Sequence, residues 1–537
     1  MQSSGPDASR YWCYGLLLLV ILFFALIRFH LRACPLERDE GEYAYAGQLI
    51  LQGIPPYQLV YSMKLPGTFA AYSLILAAFG QTPAAVHIGL LLISALTTVF
   101  VFVLARRLFD PLAGLIAGAS YALLSTSPSV VGLAGHATHF VVLAAVPGIL
   151  LLLRAIESRR IGLFFWSGVL LGLAFLMKQP GILFAIFGGV YLVRSEYREG
   201  RIEWRDLTQR VLAFALGVVL PFAVTCLAFF ATGNFPKFWF WTFTYAHEYA
   251  SVIGITEGLH LFRLTTAQVI RPALWIWAIA AVGLTAPLWN RQARAHQFFS
   301  LTFFIFSCLA ICPGLYFRRH YFILLLPAIA LLAGVAVSSA RRKLLTGGRK
   351  AWAFAPVLIF VLALADAIFV QREYLFEADP LAACRALYGN NPFPEAVEVG
   401  EYLKSHAPPG ARIAVLGSEP EIYFYSRRHS ATGYIYTYSL MEPHQHALAM
   451  QREMIRDIEG ARPEFVVFVN VPASFGRLPT SETLILSWAD NYLQGYDKIG
   501  TVDIDDPTNY IWGEAAANYQ PRSQSFINVF ERKQAAD

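Results

Sequence analysis

Residues 11–48 read YWCYGLLLLVILFFALIRFHLRACPLERDEGEYAYAGQ, and the reading of this stretch decides the class of fold. From Tyr11 to His30 the chain is apolar apart from Arg28, which is the length a helix needs to cross a bilayer core. Four acids, Glu37, Asp39, Glu40 and Glu42, then fall within six positions. The apolar run is too long for a cleavable signal, and no small-x-small site precedes a mature start. The stretch Leu31-Arg32-Ala33-Cys34 carries Arg32 where a lipoprotein signal would not. The segment is therefore expected to remain as a membrane span that delivers carboxylates to the opposite surface.

Composition extends that reading to the whole chain. Of 537 residues, 56% are hydrophobic and only 15% charged, against about 25% charged in an ordinary soluble domain. Disorder, collagen, coiled coil and a disulfide-rich secreted scaffold are excluded. Apolar runs near 11–30, 84–105, 112–127, 137–153, 161–177, 180–194, 211–232, 272–289, 297–313, 321–339 and 352–371 predict about 11 transmembrane helices. A further apolar stretch, 66–80, reads as interfacial or re-entrant. With the N-terminus cytoplasmic, 18 Lys and Arg fall in inner loops and 10 in or beside outer segments, alternating correctly loop by loop. Eleven spans then place everything after residue 371 outside the cytoplasm.

The composition changes at that boundary. Residues 1–371 carry a net charge of +14 and residues 372–537 a net −8. The expected domains are thus a transmembrane domain over 1–371 and a soluble extracytoplasmic α/β domain over 372–537. In the latter, 411–417, 464–469 and 525–531 read as strands, and 394–406 and 443–460 as helices. No GxGxxG follows the first strand, so nucleotide binding has no support. The positive excess sits in loops that set orientation, so the basic balance points to no nucleic-acid partner. There is no Asn-x-Ser/Thr, which favours a bacterial source, and the expected location is the bacterial inner membrane. Of six cysteines, Cys13, Cys226, Cys308 and Cys312 fall in spans. Cys34 and Cys384 both face the oxidising side, which leaves a bridge between them open.

Several residues stand out chemically. The acids are followed by a helix-like stretch, 43–51, and then the rigid turn Gly53-Ile54-Pro55-Pro56-Tyr57. A carboxylate held by ordered backbone at the membrane surface suits a general base, although solvated interfacial charge would look similar. Lys178 sits between two apolar runs at an outer helix end, where it either snorkels or binds phosphate. Arg318, Arg319 and His320 form a short outer link. Two Arg there run against the orientation bias, and Arg matches phosphate bidentately; pairing with membrane lipid is the simpler alternative. His136 and His139, three apart, would share a helical face and offer a metal or acceptor contact, or be satisfied interfacial histidines. A divalent cation held by His320 and an acid such as Glu42 is a further candidate, though no close ligand spacing announces it. Aromatic residues at 237–249 suit the headgroup level, near which a lipid would enter.

The run DEGEYAYAGQLILQGIPPYQLVYSMKLPG (39–67) resembles the first extracytoplasmic loop of bacterial GT-C glycosyltransferases. These include protein O-mannosyltransferases, aminoarabinose transferases and lipopolysaccharide-core transferases. The shared pattern is an acidic pair, a helix, Gly-x-x-x-Tyr and Lys-x-Pro, here Asp39-Glu40, Gly53 to Tyr57 and Lys64-Leu65-Pro66. GLAFLMKQPGILF (172–184) and YFRRHYFILLLPAIALLAG (316–334) are similar to later segments of the same family. The tail at 411–440, with RIAVLGSEPEIYFYSRRHSATGYIYTY over 412–438, is similar to tails found on such proteins.

The resemblance implies a sugar moved with inversion from a polyprenyl-phosphate donor to an extracytoplasmic glycan, lipid or protein. It marks Asp39 as base, with Glu40 positioning it or coordinating a cation. Adjacent helical residues point about 100° apart, so the two acids should not share one task. Lys178, Arg318, Arg319 and His320 would hold the donor phosphate, and Glu42, Tyr57, Lys64, His136 and His139 would meet substrate or a cation. Where relatives often carry an acid or Asn, this chain has the two histidines. The rival function is a transporter or flippase for a lipid-linked sugar, for which intramembrane charges and inverted repeats would be expected. No clear internal repeat is present.

Overall fold

A computed structural model describes residues 12–198, 203–505 and 507–533. Tyr11 of the opening run and Arg10 and Arg201, two of the bases expected on the inner side, lie outside them. The chain forms two compact units that interleave in sequence. The first contains Met1–Arg32, His87–Ala228 and Ile253–Ala378; the second contains Ala33–Val86, Phe229–Val252 and Asp379–Asp537. The C-terminal segment thus begins a few residues beyond the expected boundary, and two loop segments from the first half of the chain fold with it.

The first unit is helical. Each of the eleven apolar runs forms a helix, and among the described residues six helical segments are long and apolar enough to cross a membrane. These are Trp12–His30, Pro83–Leu108, Ala137–Ser158, Trp204–Ala231, Ile255–Trp289 and Lys350–Val370. Pro111–Thr126, Ile161–Met177 and Gln297–Ala310 are apolar but shorter. Two expectations are corrected. The segment 255–270, read as outer loop, is helical and leads into Leu274–Trp289. The span expected from 321 begins at Leu326, after a 3-10 turn over Arg319–Leu324. Pro327 lies in the first turn of that helix, where its missing N–H costs nothing.

Pro111–Thr126 and the first two-thirds of Leu326–Thr346 are buried on every side. Their contacts depend on glycine. A Cβ on Gly334 would meet Ala113 O at 2.3 Å, and one on Gly283 would meet Leu332 O at 2.1 Å. The same device joins Ile161–Met177 to Trp204–Ala231, where a Cβ on Gly217 would lie 2.1 Å from Phe165 O. Small residues let helix backbones approach where lipid provides no hydrophobic drive between them. Arg28, buried in the bundle, donates to Ser125 O and Gly132 O, both at 2.8 Å. It thereby satisfies carbonyls at and just beyond the end of a neighbouring helix.

The second unit carries a six-stranded mixed sheet. Its strands are β1 (Arg412–Leu416), β2 (His429–Ser430), β3 (Phe465–Asn470), β4 (Tyr496–Asp503), β5 (Asn509–Trp512) and β6 (Phe526–Arg532). Their order is β2-β1-β3-β6-β4-β5. β1 runs parallel to β2 and β3, and β6 runs antiparallel to β3 and β4, as does β4 to β5. The helices expected at 394–406 and 443–460 are Phe393–His406 and Ala447–Ala461. The acidic loop that follows the first apolar helix is built into this domain. Leu36 N–H donates to Tyr425 Oη at 2.9 Å, Ser430 N–H to Tyr45 Oη at 2.8 Å, and Tyr61 N–H to Gly433 O at 2.7 Å. A Cβ on Gly41 would fall 2.6 Å from Glu421 Cβ. The stretch expected at 66–80 is the helix Gly67–Phe79, packed on Arg38–Leu51, with Gly47 close to Ser73 N.

Candidate functional site

The acidic loop becomes ordered through its own chemistry. Glu37 caps the helix Arg38–Leu51 in a reciprocal box: Glu40 N–H donates to Glu37 Oε1 at 3.0 Å, and Glu37 N–H to Glu40 Oε2 at 3.4 Å. Glu40 is thus turned back onto its own helix start, while Asp39 and Glu42 lie three apart on another face. Lys64 joins those two. Its Nζ donates to Asp39 Oδ1 at 2.7 Å and to Glu42 Oε2 at 2.5 Å, and lies 4.7 Å from the centre of the Tyr43 ring.

The surroundings hold Lys64 in place. Tyr57, in a left-handed conformation with φ of 66°, donates its hydroxyl to Lys64 O at 2.7 Å. Its ring is buried against Phe69, Phe229 and Phe238. Tyr436 donates to Arg38 O at 2.9 Å and reaches Asp39 Oδ1 at 3.4 Å. Arg38 is itself tied to Ser418 O at 2.5 Å and Glu419 Oε1 at 2.9 Å. The carboxylate of Asp39 therefore rests on the C-terminal α/β domain as well as on its own helix.

Burial sets the electrostatics. It pushes the Glu42 carboxyl up despite the adjacent Lys64, with the Asp39 charge adding to the rise. Burial works against the Lys64 ammonium, but Asp39 and Glu42 outweigh it and hold its pKa well above the ordinary lysine value. Lys64 is a permanent cation between two acids. Asp39, about a quarter exposed, is the acid of the pair that reaches solvent. A positioned, partly open carboxylate can accept a hydrogen bond from a substrate hydroxyl and take its proton as that oxygen attacks.

The other candidates lie in the first unit. His136 is the cap residue of Ala137–Ser158 and stacks on His320, with ring centres 3.9 Å apart. His320 meets the edge of Tyr321 at 4.8 Å, and Lys178 Nζ lies 4.0 Å from the centre of that same Tyr321 ring. Lys178, His320 and His136 therefore form one connected group. His139 is fully buried, and neither ring nitrogen has a hydrogen-bond partner among the described residues. Arg318 is exposed and stands over the Tyr316 ring; Arg319 is half-buried. Left-handed backbone at Gly314, Leu315 and Phe317 shapes this link.

Sequence reading missed Tyr43, Arg38 and Tyr436. The first two lie beside the acids but carry no motif signature. Tyr436 is almost 400 positions away, and its only signal was the tail's own resemblance. Around 236–241 and 446–453 the second unit also has a cleft of about 280 Å³, walled by Phe240, Trp241, Tyr434 and Met450. A Lys237–Glu453 ion pair lies at its side.

Comparisons with known proteins agree with this architecture. Residues 64–225 match the family model described as dolichyl-phosphate-mannose-protein mannosyltransferase. The structure aligns with that of ArnT from Cupriavidus metallidurans bound to undecaprenyl phosphate over 97% of this chain and 98% of that one, with TM-score 0.61 and 16% identity. It aligns with the oligosaccharyltransferase AglB from Archaeoglobus fulgidus, in complex with an inhibitory peptide and a dolichol-phosphate, over 95% of this chain and 75% of that one, with TM-score 0.54 and 12% identity. No curated protein matches the chain. The fold is the one implied by the resemblance to GT-C transferases: a polytopic helical protein with a C-terminal α/β domain.

Proposed function

We propose that this protein is a membrane glycosyltransferase that moves a sugar, with inversion, from a polyprenyl-phosphate donor to an extracytoplasmic glycan, lipid or protein. The observation that carries the reading is Asp39. It is paired with Lys64 at the start of a capped helix, in a chain with the fold of ArnT and AglB. The lipids bound in those two structures, undecaprenyl phosphate and dolichol-phosphate, support a polyprenyl-phosphate leaving group. The flippase alternative is not favoured: the candidate charges collect at helix ends and in an outer loop.

In the proposed reaction the acceptor hydroxyl oxygen attacks the anomeric carbon and its proton passes to Asp39. The bond from the anomeric carbon to the phosphate oxygen breaks, and both its electrons leave with polyprenyl phosphate. That product is already a stable anion, so no strong general acid is required, unlike glycoside hydrolysis with its two carboxylates. Lys178, Arg318, Arg319 and His320 supply the positive or hydrogen-bonding groups for the phosphate. Glu42 tunes Lys64, and Glu40 secures the helix start. The N-terminus is placed in the cytoplasm and the C-terminal domain outside, in a bacterial inner membrane. A divalent cation at the histidine pair is the remaining option for assisting the phosphate, and a chelator titration of transfer activity tests it.

The decisive experiment compares wild type with Asp39→Asn in detergent or proteoliposomes, using a polyprenyl-phosphate-linked sugar. Losing a general base typically costs about 10²–10⁴-fold in rate. The variant should stay folded and lose transfer on that scale; near wild-type transfer would overturn the assignment.

A further inference from the structure

Cys34 and Cys384 are 350 positions apart in sequence, yet the second unit buries them in one small cluster with Phe393. Neither is bonded to another cysteine, and both side chains are buried in that cluster. The backbone on each side is anchored. Two residues after Cys34, Leu36 N–H donates to Tyr425 Oη at 2.9 Å. Cys384 lies in the helix Pro380–Tyr388, which Asp379 caps and which Arg385 ties to Glu395 of the next helix. The other four cysteines belong to the first unit, Cys13, Cys226 and Cys308 in apolar helices and Cys312 just past the end of one.

We infer that Cys34 and Cys384 form a disulfide that staples the first outer loop, and with it the acidic helix, to the C-terminal domain within the second unit. The inference rests on the proposed extracytoplasmic placement of both segments, because disulfides persist in oxidising compartments. The two thiols give up two protons and two electrons to the disulfide of a thiol–disulfide oxidoreductase in that compartment. A mixed disulfide forms first, the second thiol resolves it, and the oxidoreductase leaves as its dithiol. The neighbouring Cys384 sulfur and burial push the Cys34 thiol up, so the reactive thiolate is scarce once the cluster has closed. Exchange therefore belongs to folding, and the finished bond is shielded from soluble reductant.

The full-length protein in native membranes is quenched in acid, unfolded in detergent and alkylated with a maleimide, with or without prior reduction. Four of the six cysteines should react before reduction and all six after it, and mass spectrometry should recover the Cys34 and Cys384 peptides as a linked pair. In Cys34→Ser or Cys384→Ser, all five remaining cysteines should react regardless of reduction. Six reactive cysteines in the unreduced wild type, or a bridge to another cysteine, would overturn the inference. Protease access from outside intact spheroplasts separates the causes. If the C-terminal domain is cut but all six cysteines react, the disulfide alone fails. If the domain is protected and all six react, the proposed orientation fails with it.

Discussion

The two units fill their interiors with a different balance of contacts. In the helical unit, close helix contacts are made by glycine against backbone carbonyls; buried Arg28 is satisfied by two backbone carbonyls, and buried Arg210 pairs with Glu196. In the second unit, whole ion pairs are taken inside. Arg38 meets Glu419, Lys64 meets Glu42, and Arg385 meets Glu395, with each carboxylate side chain fully buried. The difference follows from what each interior can offer. Tightly packed helices provide few groups to compensate a charge. A sheet edge with its loops supplies N–H groups, hydroxyls and opposite charges from several directions. In the second unit such groups, Lys64 and Tyr436 among them, aim the Asp39 carboxylate.

The sharpest way to break that contrast is Lys64→Met, which leaves Asp39 and Glu42 facing each other without their cation. Breaking a buried pair typically costs about 3–5 kcal/mol. Thermal unfolding in detergent should show a large loss, and Lys64→Met with Glu42→Leu should recover much of it. The helical unit should instead be most sensitive to volume. Gly283→Val forces side-chain atoms against Leu332 O and should cost about 1–3 kcal/mol or more, read as a lowered unfolding midpoint with no change in its pH dependence.

The third test is pH itself. Because the Glu42 carboxyl is raised above its ordinary value of 4.5, the folded state holds its proton longer than the unfolded state. Stability from this group should therefore fall as pH rises from that ordinary value through the raised one, at most about 1.4 kcal/mol per pH unit. Glu42→Gln should flatten the slope. Lys64 acts at the other end: its contribution is complete below the ordinary lysine value and is lost only as pH rises through its higher folded value. The smallest effect is expected for Tyr436→Phe. One hydrogen bond removed is worth about 1 kcal/mol, and because it orients Asp39 the change should appear as a several-fold drop in kcat with little change in the unfolding midpoint.

Much of this was legible along the chain. Hydrophobic runs long enough to cross a bilayer announce helices whatever they pack against, so the eleven segments and the change in composition near 371 could be read directly. β1 and β3 were legible because they are central and buried, and so carry continuous apolar runs. β2 is two residues long, and β5 is a partly exposed edge strand, so neither carries such a run. The acidic loop was visible as a cluster, but the separate tasks of its members were not. Glu37 and Glu40 satisfy a capping box, and Asp39 and Glu42 share a lysine more than twenty residues away.

The amino-acid sequence by itself determined that the chain is a polytopic helical protein with a soluble α/β tail, and that Asp39 lies in a loop directly after the first span. Those properties depend on local hydropathy and charge, which each segment carries with it. Only the tertiary structure decided that the loops 33–86 and 229–252 fold with the tail into one unit, that Tyr436 and Arg38 brace the acidic helix, and that Cys34 meets Cys384. The physical reason is that these are pairings between side chains hundreds of residues apart. Their partners are selected by burial and hydrogen bonding after the chain has folded, and no local pattern encodes them.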